Sequence, residues 1–345
     1  MASTTNEETN MATEASNTNN NDDDGDNEAT HKTVKKMLET KVEGGKSAWA
    51  TTLETLGMSD GKTKRGDVIL TNFDEAMVQF TEMASKKEWE YATTPFEDFG
   101  ATKEDLLRAF VYWCRKGGKN GDGDDDNGSS SEVVKYNISN AFRRLESYVE
   151  WMDKNCQGMD LKGNTMKEIA DQWKMKVTHD QKGRLVWWID FGLVDLKHLK
   201  KNVSNDDTLR YFVWLCHFVI FDEGAQKNGL VVVESVGGHG LFETMTAVSM
   251  DVGTKLDRLT IGILPIKMEF CYLYNNPGWM RVMMAIMSPF MGKKMRKRIV
   301  TIKNKESPQS IFEEAIGKEY IPVGLTNLTG TIEKDLQDDL LEKLT

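Results

Sequence analysis

The spacing of hydrophobic positions changes at Gly183, and the change divides the chain. Before it, Phe73, Met77, Phe80 and Met83 recur at helical intervals. The apolar residues of Asp105–Trp113 (DLLRAFVYW) and Ile138–Met152 (ISNAFRRLESYVEWM) do the same. The pattern predicts a small all-helical N-terminal region over 70–155, with Asp74 and Glu75 early in its first helix, where they suit the helix dipole. After Gly183, Arg184–Phe191 (RLVWWIDF), Leu230–Val233, Met268–Tyr274 and Ile299–Ile302 read as strands. Helical stretches separate them: Asp207–Gln226, Phe242–Leu264 (loosened at Gly253) and Trp279–Met291. Leu230–Val233 is a continuous apolar run, as expected of a strand buried on both faces. Strands alternating with helices predict an α/β domain over 165–328, built on a mostly parallel sheet. Ser310–Ile316 and Ile332–Leu344 close the chain as helices, the second giving 329–345 a strongly charged end.

The stretch Lys267–Lys303 (KMEFCYLYNNPGWMRVMMAIMSPFMGKKMRKRIVTIK) concentrates the unusual chemistry. A strand leads through Asn275, Asn276 and Pro277 into a methionine-rich segment that ends at Ser288-Pro289-Phe290. As a helix, its fourteen residues from Gly278 to Met291 span about 21 Å, too short to cross a bilayer. Met280, Met284, Met287 and Met291 share one helical face. Unbranched, polarizable methionine repacks around ligands of irregular shape, and it also fills ordinary cores. Lys293, Lys294, Arg296, Lys297, Arg298 and Lys303 follow with no acid among them. Beside an anionic leaflet each such cation is worth about 1 kcal/mol, while the same run serves equally as a solvated helix end. Aromatic residues are not interleaved with the cations, so a nucleic-acid partner is not expected.

The net charge of −10 over 345 residues is unevenly held. Residues 1–31 carry eight acids and no Lys or Arg, and the insert 117–131 sets Lys119 against Asp122, Asp124, Asp125 and Asp126. The rest is nearly neutral. Such acidic, aromatic-poor stretches predict a disordered tail over 1–65 and a disordered insert within the helical region. Residues 1–31 lack the basic and apolar segments of a secretory signal. The longest apolar run, Tyr211–Phe221, fits a buried helix. Cys114, Cys156, Cys216 and Cys271 show no paired spacing, which points to a reduced, cytoplasmic setting.

Catalytic and metal motifs are weak. Ser235 in Val233-Glu-Ser-Val-Gly237 lacks the first glycine of a nucleophile elbow, and His239 lies too close in sequence for the usual triad base. Gly237-Gly-His-Gly240 lacks the remainder of a phosphate loop and reads as a tight strand-to-helix turn. Asp122–Asp126 begins like a calcium loop, but Asn127 and Val133 occupy the positions that need Gly and Glu. The five histidines show no metal-ligand spacing, and His217 reads as a satisfied core residue. No catalytic residue, metal or cofactor is expected.

The ordered set of segments resembles the CRAL-TRIO lipid-binding domain family, which includes tocopherol and retinaldehyde carriers and phosphatidylinositol-transfer proteins. The resemblance rests on Asp180-Gln-Lys-Gly-Arg184, Asn228–Glu234, Tyr274-Asn-Asn-Pro277, Ser288-Pro-Phe-Met291 with Lys297-Arg298-Ile299, and Glu319-Tyr-Ile-Pro322. Three departures stand out. Ile321–Asn327 replaces the family's Leu-Pro-x-x-x-Gly-Gly, Ile266 follows Pro265 where the phosphatidylinositol branch has an acid, and Glu269 stands where tocopherol-type carriers have a base. The resemblance implies a sheet flooring a lipid pocket, with Trp279–Met291 as a gate helix. It implies lining positions at Phe212, Cys216, Leu230, Leu264, Met268, Cys271, Met280, Met283, Met284 and Met287. It further implies membrane or headgroup contacts at Lys293, Lys294, Lys297 and Arg298. The expected function is to bind a single hydrophobic lipid (phospholipid, tocopherol or retinoid-like) and exchange it at anionic membranes as a peripheral, non-enzymatic protein. A lipid-sensing adaptor, engaging a protein partner through the acidic tail, stays open beside it.

Overall fold

The computed structural model describes residues 64–117, 133–288, 291 and 293–345. The expected acidic tail and insert thus lie almost wholly outside the described residues. A two-residue strand, β1 (Ile69–Leu70), precedes α1 (Phe73–Ser85), which Asn72 caps by accepting the Glu75 amide. The Thr102–Asp105 capping box opens α2 (Lys103–Trp113). Two further short strands, β2 (Arg115–Lys116) and β3 (Lys135–Asn137), form an antiparallel sheet in the order β1-β3-β2. Asn137 then caps α3 (Ile138–Cys156). Phe80, Phe110 and Tyr148 are fully buried where these helices meet.

A short helix, α4 (Lys167–Trp173), leads into β4 (Lys176–His179), which pairs antiparallel with β5 (Leu185–Asp190). Three helices follow: α5 (Leu196–Asn202), α6 (Asn205–Phe221) and α7 (Glu223–Asn228), before the central strand β6 (Leu230–Ser235). From β6 the chain runs through α8 (Leu241–Met245), α9 (Met250–Asp257) and a π-helical turn, Arg258–Ile263, to β7 (Met268–Tyr274). Then come α10 (Gly278–Met287), α11 (Lys293–Arg298), β8 (Ile299–Thr301), α12 (Pro308–Ala315) and α13 (Leu336–Leu344).

The five main strands lie in the order β4-β5-β6-β7-β8, parallel from β5 onward. Sequential strands are therefore neighbours, and every crossover steps the same way across the sheet. Right-handed crossovers that never reverse direction place all their helices on one face. On that face lie Leu230 and Val232, packed into the large core with α6. The opposite face carries Val186, Trp188, Val231 and Val233, covered by Phe312, Ile316, Ile321 and Leu325 from α12 and the chain after it. The α/β class, the mostly parallel sheet and the preceding helices agree with the periodicity; the N-terminal region is not all-helical, because β1, β2 and β3 pair there as strands of two or three residues, too short to leave a periodic pattern.

Several boundaries differ for local reasons. The stretch Asp207–Gln226 is two helices because Asp222, with φ −75° and ψ 122°, leaves helical space, caps α7 through the Ala225 amide and ties His179 Nε2 at 2.8 Å. Phe242–Leu264 is broken at Thr246–Ser249, where Ser249 caps a new helix, and not at Gly253. The gate helix α10 is described as Gly278–Met287, and the C-terminal helix begins only after the Asp335 cap.

Helix α6 joins the two regions. Its Trp214 Nε1 donates to Asp98 at 2.8 Å and its Tyr211 hydroxyl to Gln337 at 2.7 Å. The His217 Nδ1–H donates to the Val213 carbonyl at 2.7 Å, so neutral Nε2 accepts from Tyr148 Oη at 2.9 Å, and Tyr148 accepts in turn from Thr94 at 2.8 Å. Burial pushes the His217 pKa down from 6.5 to about 4. Between those values the unfolded chain takes up a proton that the native state refuses, so this group's contribution falls as pH drops from about 6.5 toward 4. We expect the stability difference between wild type and His217→Gln to shrink by about 3 kcal/mol from pH 7.5 to pH 4, measured by urea unfolding. An unchanged difference would place His217 outside the buried network.

The π-helical turn is held from the N-terminal region. Arg144, buried on α3, donates to the carbonyls of Ile263 and Ile261, each at 2.8 Å, with its guanidinium 3.9 Å over the Trp113 ring. Burial lowers its pKa to about 9.

Candidate functional site

A cavity of about 440 Å³ lies on the helix-covered face of the sheet. Ile189 of β5 and Glu234 of β6, direct register partners, form its floor. Trp173 of α4 and Phe212 of α6 form a wall, and their rings meet edge to face with centroids 5.0 Å apart. The roof runs from Thr244 on α8 through Ala247 and Val248 to α9. That roof comes in pieces because Thr246 and Ser249 interrupt the helix; Phe242 is 66% exposed, and Met250, which also lines the cavity, is 45% exposed.

Glu234 is the chemical anomaly of the chamber. Side chains alternate along β6, so Glu234 shares its face with Leu230 and Val232 and points to the covered side. It has no hydrogen-bond or ion-pair partner among the described residues. Burial alone lifts its carboxyl pKa to about 7. Its charge, after burial itself, helps push the Cys271 thiol well above its ordinary range.

The segments around the cavity are built as rigid joints. Gly238 sits at φ +93°, and a Cβ there would lie 2.7 Å from Gly192 Cα; one at Gly237 would lie 2.5 Å from Asn275 Nδ2. Gly237-Gly238 is thus a close backbone crossing. His239 is spent on the Val194 carbonyl at 3.0 Å, and Ser235 is fully buried beneath Asn275. Asn275 takes φ +54°, which asparagine tolerates, and the Asn276 Nδ2 group donates to both Leu273 and Ile302 at 3.0 Å. These bonds fix the start of α10 to the ends of β7 and β8.

Of the ten lining positions named from the resemblance, Phe212 lies on this cavity. Cys216, Leu230 and Leu264 are buried in the large core, with Met268 and Cys271 packed against it. Met280 forms a separate cluster with Val236 and Leu273, bordered by Met283, Met284 and Cys271. Met287 ends α10. Residues Trp173, Ile189, Glu234 and Ala247 of the cavity were not among those positions. The available signal was an acid at an inward-facing position in the apolar run LVVVES. In the basic block, Lys294 and Lys297 are exposed on α11 and Arg298 is half-buried, while Lys293 opens the helix. Arg296 reaches back to the Ser288 carbonyl at 3.3 Å, linking α11 to the end of α10.

A mostly parallel sheet wound in one direction, with a chamber under its helical cover, defines the class as an α/β domain with a ligand-sized cavity on one face. Residues 175–326 match the CRAL/TRIO domain. Similar curated proteins are the tyrosine-protein phosphatases non-receptor type 9 of Rattus norvegicus, Homo sapiens and Mus musculus. The rat protein is 28% identical over 143 residues, covering 41% of this chain and 22% of its own length. The human protein is 27% identical over the same span, with the same coverage. The mouse protein is 29% identical over 113 residues, 32% of this chain and 17% of its own. The chain thus spans about a fifth of the length of these relatives. Among solved structures, that of Sfh5 aligns with 86% of this chain and 91% of its own, at 12% identity and a TM-score of 0.46.

Proposed function

We propose that the chain binds one hydrophobic lipid, of phospholipid, tocopherol or retinoid-like kind, and exchanges it at membranes. The observation that carries this reading is the chamber of about 440 Å³ between sheet and segmented roof. Its volume falls within the usual range of ligand pockets. Removing about 400 Å² of apolar cargo surface from water would supply roughly 10 kcal/mol before entropy and desolvation costs. A roof jointed at Thr246–Ser249 suits release by swinging, and its exposed Phe242 and Met250 offer apolar contact to a bilayer surface. Among the described residues no helix is long and apolar enough to cross a membrane; the membrane contact proposed is peripheral. The role is binding, not catalysis: Ser235 and His239, the residues closest to a hydrolase motif, are committed to the turn.

Mass spectrometry of lipid extracted from the purified chain tests the reading directly. One lipid per chain is expected; a chain that neither carries lipid nor takes it up from vesicles would end it. The basic helix is tested separately. Lys294→Glu with Lys297→Glu should slow transfer to anionic vesicles at least tenfold, at about 1 kcal/mol for each cation near the surface, and leave cargo affinity in solution intact. Equal loss of both properties would remove α11 from membrane contact. Stable binding with no exchange by the wild type would support the adaptor role.

A further inference from the structure

The walls of the cavity are asymmetric in polarity. Thr244 and Thr254 on the roof donate their hydroxyls to the Gly240 and Met250 carbonyls of their own helices, and the Ser249 hydroxyl accepts the Val252 amide. Asp257, the other carboxyl on the wall, is already engaged. Glu234 therefore faces the chamber as the carboxyl whose oxygens are unsatisfied by protein, while the hydroxyls and the other carboxyl named on its walls are engaged. Trp173, on the adjoining wall, also has an indole Nε1–H without a partner.

A buried carboxyl left alone is costly, and an apolar side chain of similar size would remove that cost. The same group becomes an asset once a ligand supplies its partner. We propose that Glu234 is the polar anchor of the cargo, and that the cargo is a lipid bearing a hydroxyl at the end that enters the chamber. A hydroxyl donates to the Glu234 oxygens without bringing a charge into the chamber. An acid-headed lipid would set two carboxyls against each other, and an ammonium would need both charges stripped of water. A plain hydrocarbon end would leave the anchor unsatisfied. This inference rests on the lipid-binding reading and narrows it to a class of ligand.

The test is competition for the full-length chain between a fluorescent hydrocarbon probe and four sixteen-carbon ligands: 1-hexadecanol, hexadecane, hexadecylamine and palmitic acid. Wild type is expected to bind hexadecanol about tenfold more tightly than hexadecane and more tightly than the amine or the acid. Glu234→Leu should erase the preference, bringing alcohol and alkane within twofold, and should raise the melting temperature. Glu234→Gln, whose amide oxygen still accepts, should keep most of it. A Glu234→Leu variant that retains the tenfold preference would overturn the proposal, as would a wild type that favours the amine or the acid. Equal wild-type binding of all four would overturn the anchor and leave the lipid pocket standing. Binding of none would overturn both.

Discussion

Filling the chamber from its roof should abolish lipid loading while the fold survives. Ala247 lies on the link between α8 and α9, faces the cavity and is 9% exposed. An indole there would occupy the space over Glu234 and Ile189 that cargo needs. The neighbouring residues belong to the jointed roof, which can move outward to admit the larger side chain, whereas the sheet beneath is fixed by its parallel ladder. Ala247→Trp is therefore expected to cut bound lipid by more than tenfold, read by native mass spectrometry, with an unchanged circular dichroism spectrum. Phe242→Trp, one turn earlier and pointing outward, serves as the control and should load normally. Normal loading of Ala247→Trp would mean that cargo lies elsewhere, with the methionine cluster of α10 the next place to block.

The contrast between these two locations shows what the chain reveals before it folds. Strands β5 to β8 were legible because each is either an uninterrupted apolar run or a short alternation bounded by Gly, Asn or Pro. Strand β4 was not: Lys176-Val-Thr-His179 is four residues, half of them polar, and it joins the sheet through pairing with β5. In the sequence the roof has the spacing of one helix, because apolar positions continue through Thr246–Ser249, although side-chain bonding there favours a stop and a new cap. The methionines drew attention to α10 through their local density. The cavity, by contrast, is assembled from α4, β5, α6, β6, α8 and α9, and no local pattern marks Trp173, Ile189 and Ala247 as neighbours. Only Glu234 left a trace, as an acid where strand parity demands an inward side chain.

The largest stability loss is expected at the hinge between β4 and β5, where Asp180 closes the turn. One carboxylate oxygen accepts the amides of Lys182 and Arg184 at 2.8 and 2.9 Å, and the other takes Arg184 Nε at 2.6 Å. Gly183, at φ +68°, lets the chain turn tightly enough for both. Arg184 also donates to the Ala315 carbonyl at 3.0 Å and lies 5.6 Å from the Phe270 ring centre, so the pair ties the hairpin to α12. The two side chains are 0% and 7% exposed. Removing Asp180 leaves a guanidinium and two amides without their acceptor, a defect worth about 3–5 kcal/mol. Asp180→Ala should lose that much by urea unfolding. Asp180→Ala with Arg184→Met should recover most of it, because the stranded cation is then gone and an apolar side chain fills its place. If the double variant were as unstable as the single one, the loss would belong to the turn's amides and not to the uncompensated charge. The outcome bears on the site, since β5 carries Ile189 to the chamber floor and its register is set by this turn.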